Sequence, residues 1–194
     1  TYLHKQMAEY LVKQQANPAR IAHHFIDAND QDKALPFLEQ AAEFAKRDFQ
    51  MIDAASFYER IAEILEAQGK KDEAFEYLNK ARERFVKSNL YETHERIIEA
   101  MFRLAHTNDQ RATSYHARSD YSVHQKNNLG TAESSAREGL KYADTPEIRA
   151  TLLVDLGTAF WRQDRLLEAV EPMREAVKIE QELNSDNLGP SLAN

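Results

Sequence analysis

The sequence contains no cysteine, only five glycines and five prolines, and no long apolar run. The lack of cysteine excludes a disulfide framework and a thiolate zinc site, and it is typical of a reducing compartment, so we expect a cytoplasmic protein. The few glycines and prolines leave too few turns for a multi-stranded sheet or barrel. No segment approaches the roughly 20 apolar residues of a membrane-spanning helix, so we expect no membrane contact.

Positive charge is also in short supply. The chain has 25 lysines and arginines against 32 aspartates and glutamates, which gives a formal net charge of -7. Because binding to phosphates requires a net basic face, this balance argues against a nucleic-acid partner for this segment. The abundant residues are Ala, Leu, Glu, Gln, Lys and Arg, which lose little entropy in a helix. The composition therefore predicts an all-α fold.

Four segments share one pattern of large and small residues. Each has a large-then-small pair, a Leu or aromatic residue one turn later, a polar turn, and then alanines separated by a bulky residue. Small residues at these positions let two antiparallel helices approach closely. The copies contain Ile21, Ala22, Phe25, Ala34, Leu38 and Ala41; Tyr58, Ile61, Ala62, Leu65, Gly69, Ala74, Leu78 and Ala81; Val123, Asn127, Ala132, Ala136, Gly139 and Leu140; and Leu153, Leu156, Gly157, Phe160, Ala169, Met173 and Ala176. The pattern indicates a repeated helix hairpin.

This pattern resembles the tetratricopeptide repeat (TPR), and the match is best between Leu156 and Ala176. The proline that ends the family's pattern is missing from every copy. The resemblance implies an α-solenoid, a right-handed superhelix of antiparallel hairpins whose first helices line a concave binding surface. Domains of this kind bind proteins or peptides and catalyse no reaction.

The spacing of the repeats is uneven. Ala34 to Ala74 is 40 residues, Ala74 to Ala132 is 58, and Ala132 to Ala169 is 37. The long middle interval has room for one extra helix. We predict a single domain over 1–194, with repeats near 18–47, 51–87, 109–143 and 146–183 and an unpaired or irregular helix near 90–106.

Turn residues between the periodic segments predict about ten helices. They are expected at 2–15, 18–28, 31–47, 51–68, 71–87, 90–106, 109–126, 129–143, 146–163 and 165–183. The sequence begins without Met, and the residues from Asn187 onward are typical of the start of another helix. We therefore expect the chain to be a segment of a longer protein.

Two further resemblances concern the ends of the chain. The stretches LHKQMAE (3–9), ARIAHHF (19–25) and KALPFL (33–38) look like the segment that joins the ATPase core to the helical repeats in bacterial STAND-type signalling NTPases and related regulators. In that family the repeats act as a sensor and an autoinhibitory arm. The stretch AVEPMREA (169–176) instead resembles long repeats of the kinesin-light-chain type.

Residues for catalysis or metal binding do not cluster in the sequence. The glycines form no phosphate-binding loop, and no serine has the context of a nucleophile. His23 and His24 lie about 100° apart on a helix, a poor geometry for chelating one ion. His94 and Glu95 begin like a zinc-protease helix but lack the second histidine, so we interpret them as solvated. We expect no enzyme activity, no cofactor and no metal.

The candidate ligand-binding residues are side chains of the first helices that packing does not require. They are Arg20, His23 and Asp27; Glu59, Arg60, Glu63 and Glu66; Arg118, Tyr121, His124 and Gln125; and Asp155, Thr158, Trp161 and Arg162. The early half is acidic, whereas the late half carries aromatic residues and arginine, which often dominate interfaces. A partner with a basic stretch and an apolar anchor would fit. Packing of Trp161 between helices is the alternative.

The third repeat is polar where the others are apolar, with Ser119 and Asp120 at the large-small pair. Either its helix is rotated, which we favour, or a buried polar group has a partner or ligand. The leading hypothesis is a module that binds a protein, a peptide or another domain of the same chain, within a bacterial signalling or transcription-regulating protein; a homodimer stays open. The alternative is a sensor of a small-molecule inducer with an enclosed pocket between the two halves.

Overall fold

The computed structural model describes residues 1–85, 91–124 and 127–188, and the side chains of 1–83, 91–124 and 127–184. This part of the chain is helical. Its helices are α1 (Tyr2–Lys13), α2 (Pro18–Asp27), α3 (Gln31–Arg47), α4 (Met51–Ala67), α5 (Lys71–Phe85), α6 (Tyr91–Leu104), α7 (Asn108–His124), α8 (Leu129–Leu140), α9 (Pro146–Arg162) and α10 (Leu166–Leu188). Within these residues, no helix combines the length and the apolar character that crossing a membrane requires.

Five of the helices end in the same kind of turn. After α1, α2, α3, α4 and α9, one residue adopts a left-handed conformation, and the next N–H bonds to the carbonyl oxygen five residues earlier. Lys70, for example, donates to Leu65 at 2.9 Å. The left-handed residues are Gln15, Asn29, Phe49, Gly69 and Asp164. This Schellman motif satisfies carbonyl groups that a helix end leaves without partners, and it reverses the chain within a few residues.

Asparagine and proline mark several helix starts. The side chain of Asn17 accepts a hydrogen bond from the Ala19 N–H at 2.8 Å, and that of Asn128 accepts one from Thr131 at 3.1 Å. Pro146 opens α9 in the same way that Pro18 opens α2. Asparagine oxygens and first-turn prolines both suit the N–H groups that a helix start leaves without partners.

The chain divides into two compact units, Thr1–Ala100 and Met101–Asn194. In the first unit α2 pairs with α3 and α4 with α5, while α1 packs on α2 and α3 on α4. In the second unit α7 pairs with α8 and α9 with α10, while α9 also packs on α8 and α7. The predicted fold class, all-α with successive TPR-like antiparallel hairpins, is confirmed. The single domain over 1–194 stays a prediction.

Small residues lie where helices cross, as the repeat pattern predicts. Ala34, Ala74 and Ala132 have no exposed surface. A Cβ atom built on Gly157 would lie 2.6 Å from Cγ of Met173 on α10, closer than carbon atoms approach without a clash. Gly157, the small member of the Leu156–Gly157 pair, therefore allows α10 to contact α9 directly.

The extra helix predicted near 90–106 is present as α6, although its predicted first residue lies outside the described residues. Its side chains at Ile97, Ile98, Met101 and Leu104 are at most 4% exposed. The helix is therefore packed through one apolar face, and its interpretation as an unpaired or irregular helix stays a prediction. His94 is also fully buried, which corrects its interpretation as a solvated residue.

The polar pair of the third repeat lies in a helix that is not rotated away from the core. Ser119 is fully buried, and its hydroxyl donates a hydrogen bond to the carbonyl oxygen of Ala132 on α8 at 3.0 Å. The favoured interpretation, a rotated helix, is therefore wrong. The serine occupies a packing position and meets its hydrogen-bonding requirement on the neighbouring helix.

Glu133 on α8 joins three parts of the second unit. Its carboxylate accepts hydrogen bonds from Arg165 at 2.6 Å, Arg137 at 3.0 Å and Gln163 at 3.3 Å. Partial burial opposes ionisation of the carboxyl group, but the three donors outweigh it, and the pKa of Glu133 is lowered. A carboxyl group whose pKa is lower in the folded state stabilises the fold at pH values above its unfolded pKa, which is near 4.5. That stabilisation is lost as the pH falls through the lowered pKa.

We expect Glu133→Gln to reduce the free energy of unfolding by about 1–2 kcal/mol at pH 7. The loss should shrink at acid pH, because the parent carboxyl group also becomes protonated as the pH falls through its lowered pKa. Urea unfolding at both pH values measures the difference. Glu171→Gln, in an exposed pair with Arg174, is the control and should change little. An equal loss from Glu133→Gln at both pH values would contradict the assignment.

Candidate functional site

Two of the residues predicted on α2, His23 and Asp27, lie in a cluster with His24 and with His4 of α1. Asp27 Oδ2 lies 3.4 Å from Nε2 of His23 and 3.2 Å from Nδ1 of His4 on α1. His4 Nδ1 lies 3.1 Å from Nδ1 of His24. Burial, followed by the neighbouring His4 and His23, lowers the pKa of His24. Arg20 is exposed one turn before this cluster.

Two of the three acidic residues predicted on α4, Glu59 and Glu63, are paired with arginines. Glu59 accepts two hydrogen bonds from Arg96 on α6, the shorter at 2.6 Å. Arg60 and Glu63 form an ion pair on α4 at 2.6 Å. The charges of Glu59 and Glu63 are therefore largely compensated, and the expectation of a basic partner stays a prediction. Glu66, on the same helix, is partly buried.

In the second unit, α7 and α9 are joined by a histidine and an aspartate. Nδ1 of His116 and Oδ2 of Asp155 are 2.7 Å apart, and both side chains are mostly buried. One and two turns further along α7, Asp120 and His124 form a second, more exposed pair at 3.4 Å. Two helices held side by side in this way present adjacent surfaces to solvent.

The exposed strip of α9 beside these pairs contains Val154, Thr158, Trp161 and Arg162, and we call these four residues the α9 face. They lie on one side of the helix because they are three, four, seven and eight residues apart. Trp161 is 60% exposed and Val154 41% exposed, while Thr158 is partly buried. The guanidinium of Arg162 donates to Oδ1 of Asn127 at 3.2 Å. Packing of Trp161 between helices, the alternative from sequence, does not occur in the described residues.

Two residues predicted on α7 point elsewhere. Tyr121 is only 4% exposed, so it is a core residue and offers no surface to a ligand. Arg118 lies over the ring of Phe102, with its guanidinium carbon 4.0 Å from the ring centroid, and it is also near Tyr115. This cation–π contact accounts for the position of the arginine. Gln125 lies outside the described residues.

Two residues of this surface were missing from the prediction. Val154 was omitted because the repeat pattern does not distinguish an exposed valine from a packed one, although its spacing of four from Thr158 and seven from Trp161 was a usable signal. His116 is not among the candidate residues predicted from the sequence. Its partner Asp155 is 39 residues away in sequence, so the sequence held no signal for that pair.

The first unit contains an open groove. It lies along α1 to α4, has a volume of about 740 Å³, and is lined by residues that include Phe37, Phe44 and Phe57 as well as Asp48 and Asp53. Phe44 is 47% exposed, so the groove is open to solvent along its wall. This groove is therefore not the enclosed pocket that the small-molecule alternative expects.

The comparisons with known proteins agree with the hairpin architecture over part of the chain. The tetratricopeptide repeat family model matches residues 55–83, which cover most of α4 and of α5. No curated protein matches the chain. Residues 55–83 of the first unit are therefore similar to a tetratricopeptide repeat.

Two solved structures are similar over most of the chain. BtubC (BKLC) from P. vanneervenii is 16% identical with a TM-score of 0.38, over 94% of this chain and 72% of the other. Kinesin-light-chain-type repeats from Podosopora anserina, described as nearly identical and TPR-like, are 17% identical with a TM-score of 0.39, over 94% and 86%. Because both TM-scores are below 0.5, neither similarity identifies a function.

Proposed function

We propose that the chain is a non-catalytic module that binds a protein or peptide, and that the α9 face is its contact surface. The exposure of Trp161 carries this proposal. A side chain of this size that is 60% exposed leaves a large apolar surface in water, and burying it against a partner is favourable. Tryptophan and arginine are also the residues that most often dominate the energy of an interface.

The composition of the α9 face defines the partner. Val154 and Trp161 supply apolar surface, and Arg162 supplies positive charge. Asp155 is already paired with His116. A peptide with an aromatic or aliphatic anchor and a nearby carboxylate fits this arrangement, because arginine binds carboxylates with paired hydrogen bonds. This ligand differs in charge from the basic partner expected from the sequence.

The wider role is a second part of the proposal. The resemblance of residues 3–38 to the segment before the repeats in STAND-type regulators supports a place in a larger cytoplasmic signalling protein. In such a protein the partner of the α9 face would be another polypeptide or another domain of the same chain. The similarity of residues 55–83 to a tetratricopeptide repeat supports an interaction role but does not choose between these partners.

Intrinsic fluorescence tests the assignment directly, because Trp161 is the only tryptophan in the chain. Peptides selected from a random displayed library on the untagged chain serve as ligands. We expect peptides of the proposed chemistry to shift the emission of Trp161 to shorter wavelength and to protect it from quenching by acrylamide, because its indole leaves water.

The control for this measurement is a peptide from the same selection whose anchor residue is replaced by alanine. It should leave the emission and the quenching unchanged at equal concentration. Selected peptides that bind tightly by calorimetry but leave Trp161 as accessible to acrylamide as before would place the binding surface elsewhere.

A further inference from the structure

The strongest unassigned cluster of chemical groups lies between α1 and α2. His4 of α1, and His24 and Asp27 of α2, each place one ligand atom within 4.8 Å of the other two. The Nδ1 atoms of His4 and His24 are 3.1 Å apart, and Oδ2 of Asp27 is 3.2 Å from His4 Nδ1. Two imidazoles and a carboxylate therefore converge on one point from two helices.

These separations are close to those of ligands around a tetrahedral zinc ion. With Zn–N and Zn–O bonds of about 2.0–2.1 Å, neighbouring ligand atoms lie about 3.3–3.4 Å apart. Imidazole nitrogen and carboxylate oxygen are both established zinc ligands, and three protein ligands leave a fourth position for water or a further group.

We propose that His4, His24 and Asp27 form a binding site for a divalent transition metal ion, with Zn²⁺ as the best match. The ion would join α1 to α2. This inference is independent of the function proposed for the α9 face, which lies in the other unit. His23 also faces the carboxylate, with its Nε2 atom 3.4 Å from Oδ2 of Asp27. The amino group of Thr1 lies nearby and donates a hydrogen bond to the main-chain oxygen of Asp27 at 2.7 Å.

The environment of the cluster suits a metal ion. A metal binds imidazole through a neutral ring nitrogen, and His4 and His24 each offer one such ligand atom. The cluster is also accessible, because the side chain of His4 is 42% exposed and that of Asp27 34% exposed. An ion can therefore enter without opening the fold.

Calorimetric titration with ZnCl₂ tests the proposal. The protein is used without a histidine tag and is first dialysed against a chelator. We expect one equivalent of Zn²⁺ to bind, and His4→Gln and His24→Gln each to weaken binding by more than about 10-fold, because even residues behind the ligands cost 10–100-fold in comparable sites. Circular dichroism checks that both variants are folded.

His124→Gln is the matched control. His124 lies 3.4 Å from Asp120, one turn away on α7. This pair has the same spacing as His23 and Asp27 on α2, but in the described residues no second imidazole converges on it. It should bind Zn²⁺ like the parent chain. Absence of stoichiometric binding to the parent, or equal binding by His24→Gln and the parent, would overturn the proposal. If His24→Gln is misfolded, the exposed His4→Gln variant decides the question.

Discussion

Replacing Phe75 by alanine is expected to reduce the free energy of unfolding by about 3–5 kcal/mol. Phe75 lies in α5, within the matched repeat, and is only 2% exposed. Truncation removes a large buried apolar surface and leaves a cavity that the surrounding helices fill only in part. Since folded domains have a total stability of about 5–15 kcal/mol, this one change removes a large fraction of it.

Urea unfolding followed by far-ultraviolet circular dichroism measures the loss. Phe49→Ala is the control, because Phe49 follows α3 and is 85% exposed. It should change the free energy of unfolding by less than about 0.5 kcal/mol. Similar losses for the two phenylalanines would contradict the placement of Phe75 in the core of the α4–α5 hairpin.

The second large effect concerns the contact of α8 with α7 and α9. Leu152 is fully buried, and we expect Leu152→Ala to cost about 2–5 kcal/mol. A Cβ atom built on Gly139 would lie 2.8 Å from Cδ2 of Leu152 and 2.9 Å from Cβ of Tyr115. Gly139→Ala should therefore cost about 1–3 kcal/mol through overpacking, although alanine is the better helix former.

The two substitutions should not be additive. In the Leu152→Ala background the leucine methyl groups that oppose the new Cβ are gone, so Gly139→Ala should cost less than it does in the parent chain. Gly130→Ala is the control within the same helix, because a Cβ there meets only Asn128 at 3.9 Å. A neutral Gly139→Ala, or equal costs in both backgrounds, would show that α8 does not approach α9 as closely as described.

Much of the fold could be predicted because local signals agree with tertiary packing. The marker alanines and the large-small pairs report helix crossings directly, since only small residues fit there. Asn17, Asn128 and Pro146 mark helix starts by local chemistry. Phe49 shows the limit of such signals, because a phenylalanine in a left-handed conformation is not a residue that predicts a turn.

The side-chain environments could be predicted less well, because they depend on neighbours distant in sequence. His94 and Tyr121 carry polar groups typical of exposed positions, yet both are buried. Ser119 is accepted in the core because Ala132 supplies a hydrogen-bond acceptor on another helix. Periodicity identifies a helix, but it does not show which of its polar residues are buried and form hydrogen bonds with neighbouring helices.

The candidate site illustrates the same limit. Trp161 and Arg162 were predicted from residue type and helical position, and the structure places both at the surface. The acidic character predicted for the early half is compensated by Arg96 and Arg60, and the ion pair of Glu59 with Arg96 spans 37 residues of sequence. His4 and His24 meet only because α1 folds back on α2, so the sequence alone indicated no metal site.

The central claim, that the α9 face binds a peptide, is tested most directly by affinity. Calorimetry with a peptide selected on the parent chain should show at least about 30-fold weaker binding to the Trp161→Ala, Arg162→Ala double variant, because hot-spot truncations cost about 2 kcal/mol or more. The Leu167→Ala, Arg174→Ala variant of α10 removes an exposed leucine and arginine elsewhere and should bind like the parent. Unchanged affinity in the first variant, with its fold intact by circular dichroism, would contradict the claim.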